Sequence, residues 1–164
     1  MNITIYTDGS SLGNPGPGGY GTVLKTERHR KELSQGYRLT TNNRMELMAV
    51  IAGLEALKIP QCKVTVYSDS QYVVNSLEKR WVFEWEKKAF KDKKNVDLWK
   101  RFLQVYRCHE VKLVWVKGHD GNKENERCDH LAVEAANSQP LMIDTGYEVE
   151  NNPHDVEVEL KTKN

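Results

Sequence analysis

Three carboxylates, Asp8, Glu46 and Asp69, occupy positions where elements meet and from which they could share one chemical task. Asp8 follows the run Ile3-Thr4-Ile5-Tyr6-Thr7, and Asp69 lies just beyond Val64-Thr65-Val66-Tyr67. Glu46 falls in the opening turn of an apolar-periodic segment, and Asp129 sits in Asn125-Glu126-Arg127-Cys128-Asp129. Taken singly, each has a plain structural explanation. Asp8-Gly9 suits a turn, Glu46 follows Asn43 at capping-box spacing, Asp69 could cap the helix beside it, and Asp129 could be a solvated helix acid. Taken together Asp8, Glu46 and Asp69 are harder to dismiss. Acids that converge without matching lysines or arginines repel one another and need a cation. His119 adds a titratable group in a loop, flanked by Gly118 and Asp120-Gly121. The other histidines, His29, His109, His130 and His154, have no spacing that suggests a ligand set.

Convergence depends on the elements that carry these acids. Residues 3–7 form a strand expected to stop at Asp8-Gly9, and a Gly/Pro-rich loop follows from Gly13 to Gly19. Two further strands are expected near 20–26 and 31–39. In the second, Leu33, Gln35, Tyr37 and Leu39 alternate with Glu32, Ser34, Gly36 and Arg38. After Thr41 the period changes: Leu47, Val50, Ile51, Leu54 and Leu57 form a helical stripe ended by Pro60. A strand at 64–67 leads to Asp69, and Ser70 caps a helix that buries Val73, Val74 and Leu77. A helix from about Asn95 to His109 buries Trp99, Phe102, Leu103 and Tyr106, and Val111 to Val116 returns to strand. A last helix near 124–137 buries Cys128, Leu131, Ala132 and Ala135. The order predicts an α/β fold: a five-stranded mixed sheet, its first three strands antiparallel, with helices on both faces. Neighbouring strand ends in such sheets lie close together, which is where ligands bind.

The run Gly16-Pro17-Gly18-Gly19-Tyr20-Gly21 matches G-x-G-x-x-G but is read as a wide turn. A dinucleotide fingerprint must join a strand to a helix, and a strand follows here instead.

The 164 residues suit one domain, with 38% hydrophobic and 29% charged residues. No run approaches a membrane span, and the N-terminus lacks a basic start and an apolar signal core. Three separated cysteines, Cys62, Cys108 and Cys128, point to reduced thiols in a cytoplasm. The net charge of +1 conceals an asymmetry. Residues 79–101 carry nine basic against four acidic side chains, whereas 144–164 carry six acids against two lysines. Within the first stretch, residues 81–94 interleave Trp81, Phe83, Trp85 and Phe90 with Lys87, Lys88, Lys91, Lys93 and Lys94. That composition suits a surface gripping a nucleic-acid backbone, and it equally suits a helix with aromatics inward and lysines solvated. Residues 1–147 are expected to form the folded domain and 148–164 an acidic tail. The tail either repels substrate and covers the basic segment, or is inert, or adds an edge strand through Val156, Val158 and Leu160.

Five segments carry a resemblance. Tyr6-Thr7-Asp8-Gly9-Ser10, Thr40-Thr41-Asn42-Asn43-Arg44-Met45-Glu46-Leu47, Tyr67-Ser68-Asp69-Ser70-Gln71, Trp115-Val116-Lys117-Gly118-His119 and Asn125-Glu126-Arg127-Cys128-Asp129 closely resemble bacterial type 1 ribonuclease H. The match spans residues 2–138 in the right order. It implies an endonuclease that hydrolyses the RNA strand of RNA–DNA hybrids, leaves 5′-phosphate and 3′-hydroxyl ends, and clears RNA primers and hybrids during replication. It also implies Mg²⁺, with Mn²⁺ as substitute, held by Asp8, Glu46, Asp69 and Asp129, and a monomeric cytoplasmic enzyme. Such chemistry needs an activated water, a neutralised phosphate and a stabilised leaving oxygen, which two ions about 4 Å apart supply. By the same resemblance Asp8 bridges both ions, Glu46 and Asp69 complete one site, and Asp129 completes the other. His119 matches the family's histidine of proton movement or product release. Asn14, Asn42, Asn43 and Gln71 match minor-groove contacts, where amides read the 2′-hydroxyl. Thr41 belongs to a DNA phosphate pocket, and residues 81–94, with Trp81, Trp85 and the lysines, match the handle that grips the DNA strand.

Three features depart from that pattern. The handle is shorter than in the fullest bacterial members, Leu39 replaces an arginine of the phosphate pocket with Arg38 one place earlier, and the acidic tail extends beyond the match. A non-catalytic hybrid-binding module and a strand-transfer or junction-resolving enzyme are the competing functions. The four acids speak against the first, and the Thr40-to-Glu46 run with the handle speaks against the second.

If the handle lysines serve affinity rather than chemistry, changing Lys87, Lys88, Lys93 and Lys94 together to Ala raises KM more than it lowers kcat. The logarithmic salt dependence of binding then becomes shallower by about 0.9 for each phosphate that is no longer neutralised. Steady-state kinetics and a salt titration of binding measure both.

Overall fold

The computed structural model describes residues 1–118 and 121–151, so His119 and the expected tail beyond Asn151 lie outside the described residues. The chain forms β1 (Asn2–Ser11), β2 (Gly16–Lys25), β3 (Arg30–Thr40), α1 (Asn42–Glu55), β4 (Lys63–Ser68) and α2 (Gln71–Glu78). It continues through α3 (Trp81–Lys87), α4 (Val96–Tyr106), β5 (Glu110–Trp115), α5 (Lys123–Asn137) and α6 (Thr145–Asn151). The five strands make one sheet in the order β3-β2-β1-β4-β5. β1–β2 and β2–β3 pair antiparallel, and β4 joins β1 and β5 joins β4 in parallel, as the helical crossovers predict.

The main core lies between the sheet and α1, α2 and α4. Ile5, Leu47, Ile51, Leu54, Trp99 and Phe102 are fully buried there. A smaller cluster of Val23, Cys128 and Leu131, with Tyr6 against it, seals α5 to the other face. Strand alternation therefore divides β1: Ile3, Ile5 and Thr7 are buried toward α1, whereas Tyr6 meets α5 and Asp8 shares its parity.

Two expectations about glycine fail for one reason. β1 does not stop at Asp8-Gly9 but runs on to Ser11, and the expected turn at 16–21 is already β2. These glycines mark close approach rather than turning. A Cβ on Gly9 would overlap the backbone of Met45 and Glu46 in α1. Gly21 stands opposite Asp8 in the ladder, and a Cβ there would overlap the Cys128 carbonyl of α5. Each glycine lets one helix settle directly on the sheet beside Asp8.

The helix caps are made by hydroxyls rather than by the acids beside them. Thr41 caps α1, its hydroxyl accepting from the Arg44 N–H, so Asn43 and Glu46 form no capping box. Ser70, not Asp69, caps α2 by accepting from the Val73 N–H. Ala135, expected in the core, is half-buried, and Ala136 fills that place instead.

Helix α6 is absent from the sequence expectation and crosses the anticipated domain boundary between 147 and 148. Apolar periodicity does not mark it, because polar contacts hold it. The Glu148 carboxylate is buried and accepts three hydrogen bonds from Arg38, at 2.9–3.2 Å. Asp144, also buried, accepts from Thr40 Oγ1 at 2.6 Å and from Arg44 Nε and Nη2, each at 2.8 Å. No helix among the described residues is long and apolar enough to cross a membrane.

The close approach at Gly9 makes a sharp expectation. Gly9→Ala should cost at least about 3 kcal/mol, because backbone on both sides must move to admit one methyl group. Denaturant unfolding at equilibrium measures it, and a loss comparable to an ordinary exposed-strand Gly→Ala exchange would contradict the close approach.

Candidate active site

Asp8, Glu46 and Asp69 come together although they are far apart in sequence and arise from a strand, a helix and a strand end. One carboxylate oxygen from each lies within 4.8 Å of the other two. Parallel pairing of β1 with β4, in register through Tyr6 and Tyr67, brings Asp8 beside Asp69. Next to them the Thr7 hydroxyl donates to the Tyr67 carbonyl at 2.9 Å, locking the two strand ends. Glu46 projects from the first turn of α1 across to β1, where its Oε1 accepts from the Gly9 N–H.

The end of β4 is held from the other side as well. The Trp115 indole N–H donates to the Asp69 carbonyl at 3.1 Å, and the Val116 N–H donates to the Ser68 carbonyl at 2.9 Å. Asp129 faces the trio across a cleft of about 330 Å³ that Asp8, Asp69 and Asp129 line together. Its helix is fixed by ion pairs on the outer side. Glu124 binds Arg30 bidentately at 2.9 and 3.0 Å and Lys25 at 3.2 Å. Arg127 binds Glu32 bidentately at 2.8 and 2.9 Å. These guanidinium and ammonium contacts hold Glu32 and Glu124 down at about 2. Cys128, between Arg127 and Asp129, donates its thiol to the Tyr6 carbonyl, and burial pushes that thiol well up, so it is a packing group.

Among the described residues no ion pair reaches Asp8, Glu46, Asp69 or Asp129, although exposed Lys117 borders the same cleft. Arg44 lies two residues from Glu46 and is buried, but its guanidinium is committed to Asp97 and Asp144. Burial, with the charges of Asp69 and Asp129, pushes Asp8 up to about 7. Burial and the neighbouring Asp8 push Glu46 well above its ordinary value. A donor set of hard oxygens that resists its own ionisation fits a divalent cation such as Mg²⁺ or Mn²⁺. Asn125 also borders the cleft, and its buried Oδ1 has no hydrogen-bond partner among the described residues.

The residues matched to nucleic-acid contacts fall in two groups. Asn14, Thr41 and Asn43 border a groove with Lys94 at the start of α1. Asn14 Oδ1 accepts from the Asn42 N–H at 3.0 Å, which turns its NH₂ end outward. Gln71 opens α2, exposed and two residues beyond Asp69. On the handle, Trp81 is exposed beneath the Lys79 ammonium, which stands 5.4 Å from its ring. Trp85 is half-buried edge-on to Trp99, with Lys93 5.2 Å above its ring. Lys87 pairs with Glu84, while Lys88, Lys93 and Lys94 are exposed. The sequence signals did not identify Asn125 in the cleft, or Tyr147, Glu150 and Asn151, which also border the groove. Only the packing of α6 near α1 reveals the latter three.

Comparison with known proteins agrees with this geometry. The RNase H family profile matches residues 1–137. A ribonuclease H from Syntrophus aciditrophicus is 57% identical over 150 residues, covering 88% of this chain and 86% of that protein. The crystal structure of LC9-RNase H1, a type 1 RNase H with the type 2 active-site motif, superposes with a TM-score of 0.77 at 33% identity, covering 96% of this chain and 83% of the other. LC11-RNase H1, solved in complex with an RNA/DNA hybrid, gives 0.62 at 28% identity, with 82% and 96% covered.

The raised carboxylates carry a pH signature in the metal-free protein. Asp8 ionises near 3.8 when unfolded and near 7 when folded, so its contribution to stability is lost as pH rises between those values. Asn cannot ionise and escapes that loss. Asp8→Asn should therefore raise apo stability by about 1–2 kcal/mol near pH 8 and by much less near pH 4. Thermal melts in EDTA at the two pH values check the difference, and added Mg²⁺ should stabilise the parent protein but not the variant.

Proposed function

The chain belongs to the ribonuclease H family and is a hydrolytic nuclease, and from that premise we propose that it cleaves the RNA strand of RNA–DNA hybrids by a two-metal-ion mechanism. The observation that carries this proposal is the cluster of Asp8, Glu46 and Asp69, with Asp129 lining the same cleft. Asp8, Glu46 and Asp69 would hold one divalent ion, and Asp8 with Asp129 the second. When bound, such ions neutralise phosphate charge and lower the pKa of water.

The chain's own residues supply position. Asp8 sits between the two helices and reaches both halves of the site. Gly9 N–H orients Glu46, and Trp115 fixes the main chain at Asp69. Asn125 offers an acceptor inside the cleft. His119, four residues beyond the end of β5 in sequence, is assigned to proton movement or product release. Asn14, Asn42, Asn43 and Gln71 would read the 2′-hydroxyl side of the minor groove, since amides both donate and accept. Thr41 would meet a DNA-strand phosphate, and Trp81, Trp85, Lys87, Lys88, Lys93 and Lys94 would lie along the DNA backbone. The products would be 5′-phosphate and 3′-hydroxyl ends, and the cellular task removal of RNA primers and hybrids during replication. We assign Mg²⁺ as the metal with Mn²⁺ as substitute, and a cytoplasmic monomer as the working form. Residues beyond α6 remain assigned to an acidic tail.

One experiment separates this proposal from its competitors: end-labelled hybrid, duplex DNA and duplex RNA, each incubated with Mg²⁺ or EDTA and resolved on a gel. Only the RNA strand of the hybrid should be cut, and only with metal. Binding without cutting would identify a hybrid-binding module, and cutting of duplex DNA would identify a strand-transfer or resolving enzyme. Asp8→Asn, Glu46→Gln and Asp69→Asn should each nearly abolish cleavage while the fold persists. Asp129→Asn should be milder in Mn²⁺ than in Mg²⁺, because Mn²⁺ binds a depleted oxygen and nitrogen site more tightly. Normal cleavage by the first three variants would overturn the site.

A further inference from the structure

The segment after α5 is built into the body, and it is built against the groove rather than away from it. Met142 extends the edge of β3, its N–H donating to the Gly36 carbonyl at 2.9 Å and its carbonyl accepting from the Arg38 N–H at 2.8 Å. Asp144 then fastens the chain to Thr40 and Arg44, at the junction of β3 and α1. Its Oδ1 also accepts from the Tyr147 N–H at 3.3 Å, which starts α6. One turn on, buried Glu148 is held by Arg38. Two anchors one helical turn apart fix both the position and the rotation of a short helix.

The rotation they fix turns Tyr147, Glu150 and Asn151 to a groove of about 360 Å³, opposite Asn14, Thr41 and Lys94. Its charge balance is simple. Among the described residues two cations border it, Arg44 and Lys94. Arg44 is already neutralised by Asp97 and Asp144. Lys94 makes no ion pair among the described residues and is exposed. Glu150 is the one acid among the described residues on the groove's border, and it too is exposed. A phosphate entering the groove therefore meets one available positive charge and one opposing negative charge.

We propose that α6 is part of the hybrid-binding surface and that Glu150 acts there as an electrostatic brake, offsetting Lys94 and weakening the hold of the groove on a backbone phosphate. This rests on the assignment of Asn14, Thr41 and Asn43 as nucleic-acid contacts. The arrangement favours release over tight retention at a contact beside, and not among, the clustered acids. A single carboxylate in a water-filled groove acts over about one Debye length, so its effect fades as salt rises.

The test is equilibrium binding of a fluorescein-labelled RNA–DNA hybrid to the full chain in EDTA, followed by anisotropy at about 50 mM and about 500 mM NaCl. Glu150→Gln should lower Kd about threefold at low salt, with the gain largely gone at high salt, and Glu150→Lys should lower it further. Glu110→Gln makes the same charge change at the N-terminal end of β5 and separates a local effect from net charge. Both Glu150 variants leave every anchor of α6 in place, so loss of fold does not confuse the result. Equal Kd for Glu150→Gln and the parent chain would overturn the proposal, as would an equal gain in Glu110→Gln. Cleavage of the same hybrid by the parent chain in Mg²⁺ scores the nuclease assignment separately. A chain that fails to cut can still show, or fail to show, the Glu150 effect.

Discussion

Like charges forced together are the constraint that the rest of the molecule obeys. Three carboxylates with oxygens within 4.8 Å of one another would separate if the backbone allowed it. What prevents them is steric rather than electrostatic. At Gly9 and Gly21 two helices rest on the sheet with no Cβ between, one on each face and both beside Asp8. The apolar contacts of α1 and α5 press those helices down, with Leu47, Ile51 and Leu54 on one side and Cys128 and Leu131 on the other. Burial therefore supplies the free energy that holds the acids in place, and their mutual repulsion is relieved by taking up a proton or a cation.

The surrounding arginines are arranged to leave that repulsion intact. Arg44 is near enough to Glu46 in sequence to quench it, yet its donors are directed to Asp97 and Asp144. Arg127 is two residues from Asp129 and points to Glu32 on the outer side of the sheet. Arg30 turns to Glu124. Each of these pairs also fastens one element to another: α1 to α4 and the α6 segment, α5 to β3. The cations stiffen the frame around the acids without neutralising the acids.

The order and type of the main elements were legible in the sequence because they bury apolar stripes of ordinary period. The four acids were legible because each stood at the end of such an element or beside its buried stripe. The glycines were not, since the same residue serves a turn and a close approach, and the partner that approaches lies far away in sequence: Glu46 for Gly9, Cys128 for Gly21. Glu46 resembled a capping residue for a similar reason, as nothing local to α1 reveals that its partner is the Gly9 N–H. Helix α6 escaped detection because seven residues give too little periodicity, and because its anchors, Arg38 to Glu148 and Arg44 to Asp144, are long-range ion pairs. Local pattern reveals what apolar burial organises; polar contacts between distant segments become visible only in three dimensions.

The first turn of α1 connects the two halves of the site. Thr41 caps the helix at the groove, Asn42 and Asn43 stand exposed beside it, and Glu46 enters the acid cluster about one turn later. At 1.5 Å of rise per residue, Asn42 and Glu46 are separated by about 6 Å along the axis of one rigid helix. Thr41 and Asn43 at the groove thereby stand at a fixed offset from Glu46 in the acid cluster. That offset cannot drift without breaking the cap at Thr41 or the buried Arg44 contacts. Arg44 lies between the two functions on the same turn, and Asp144 ties it to the segment that carries α6. The groove wall and the acid cluster are therefore referenced to a single buried guanidinium.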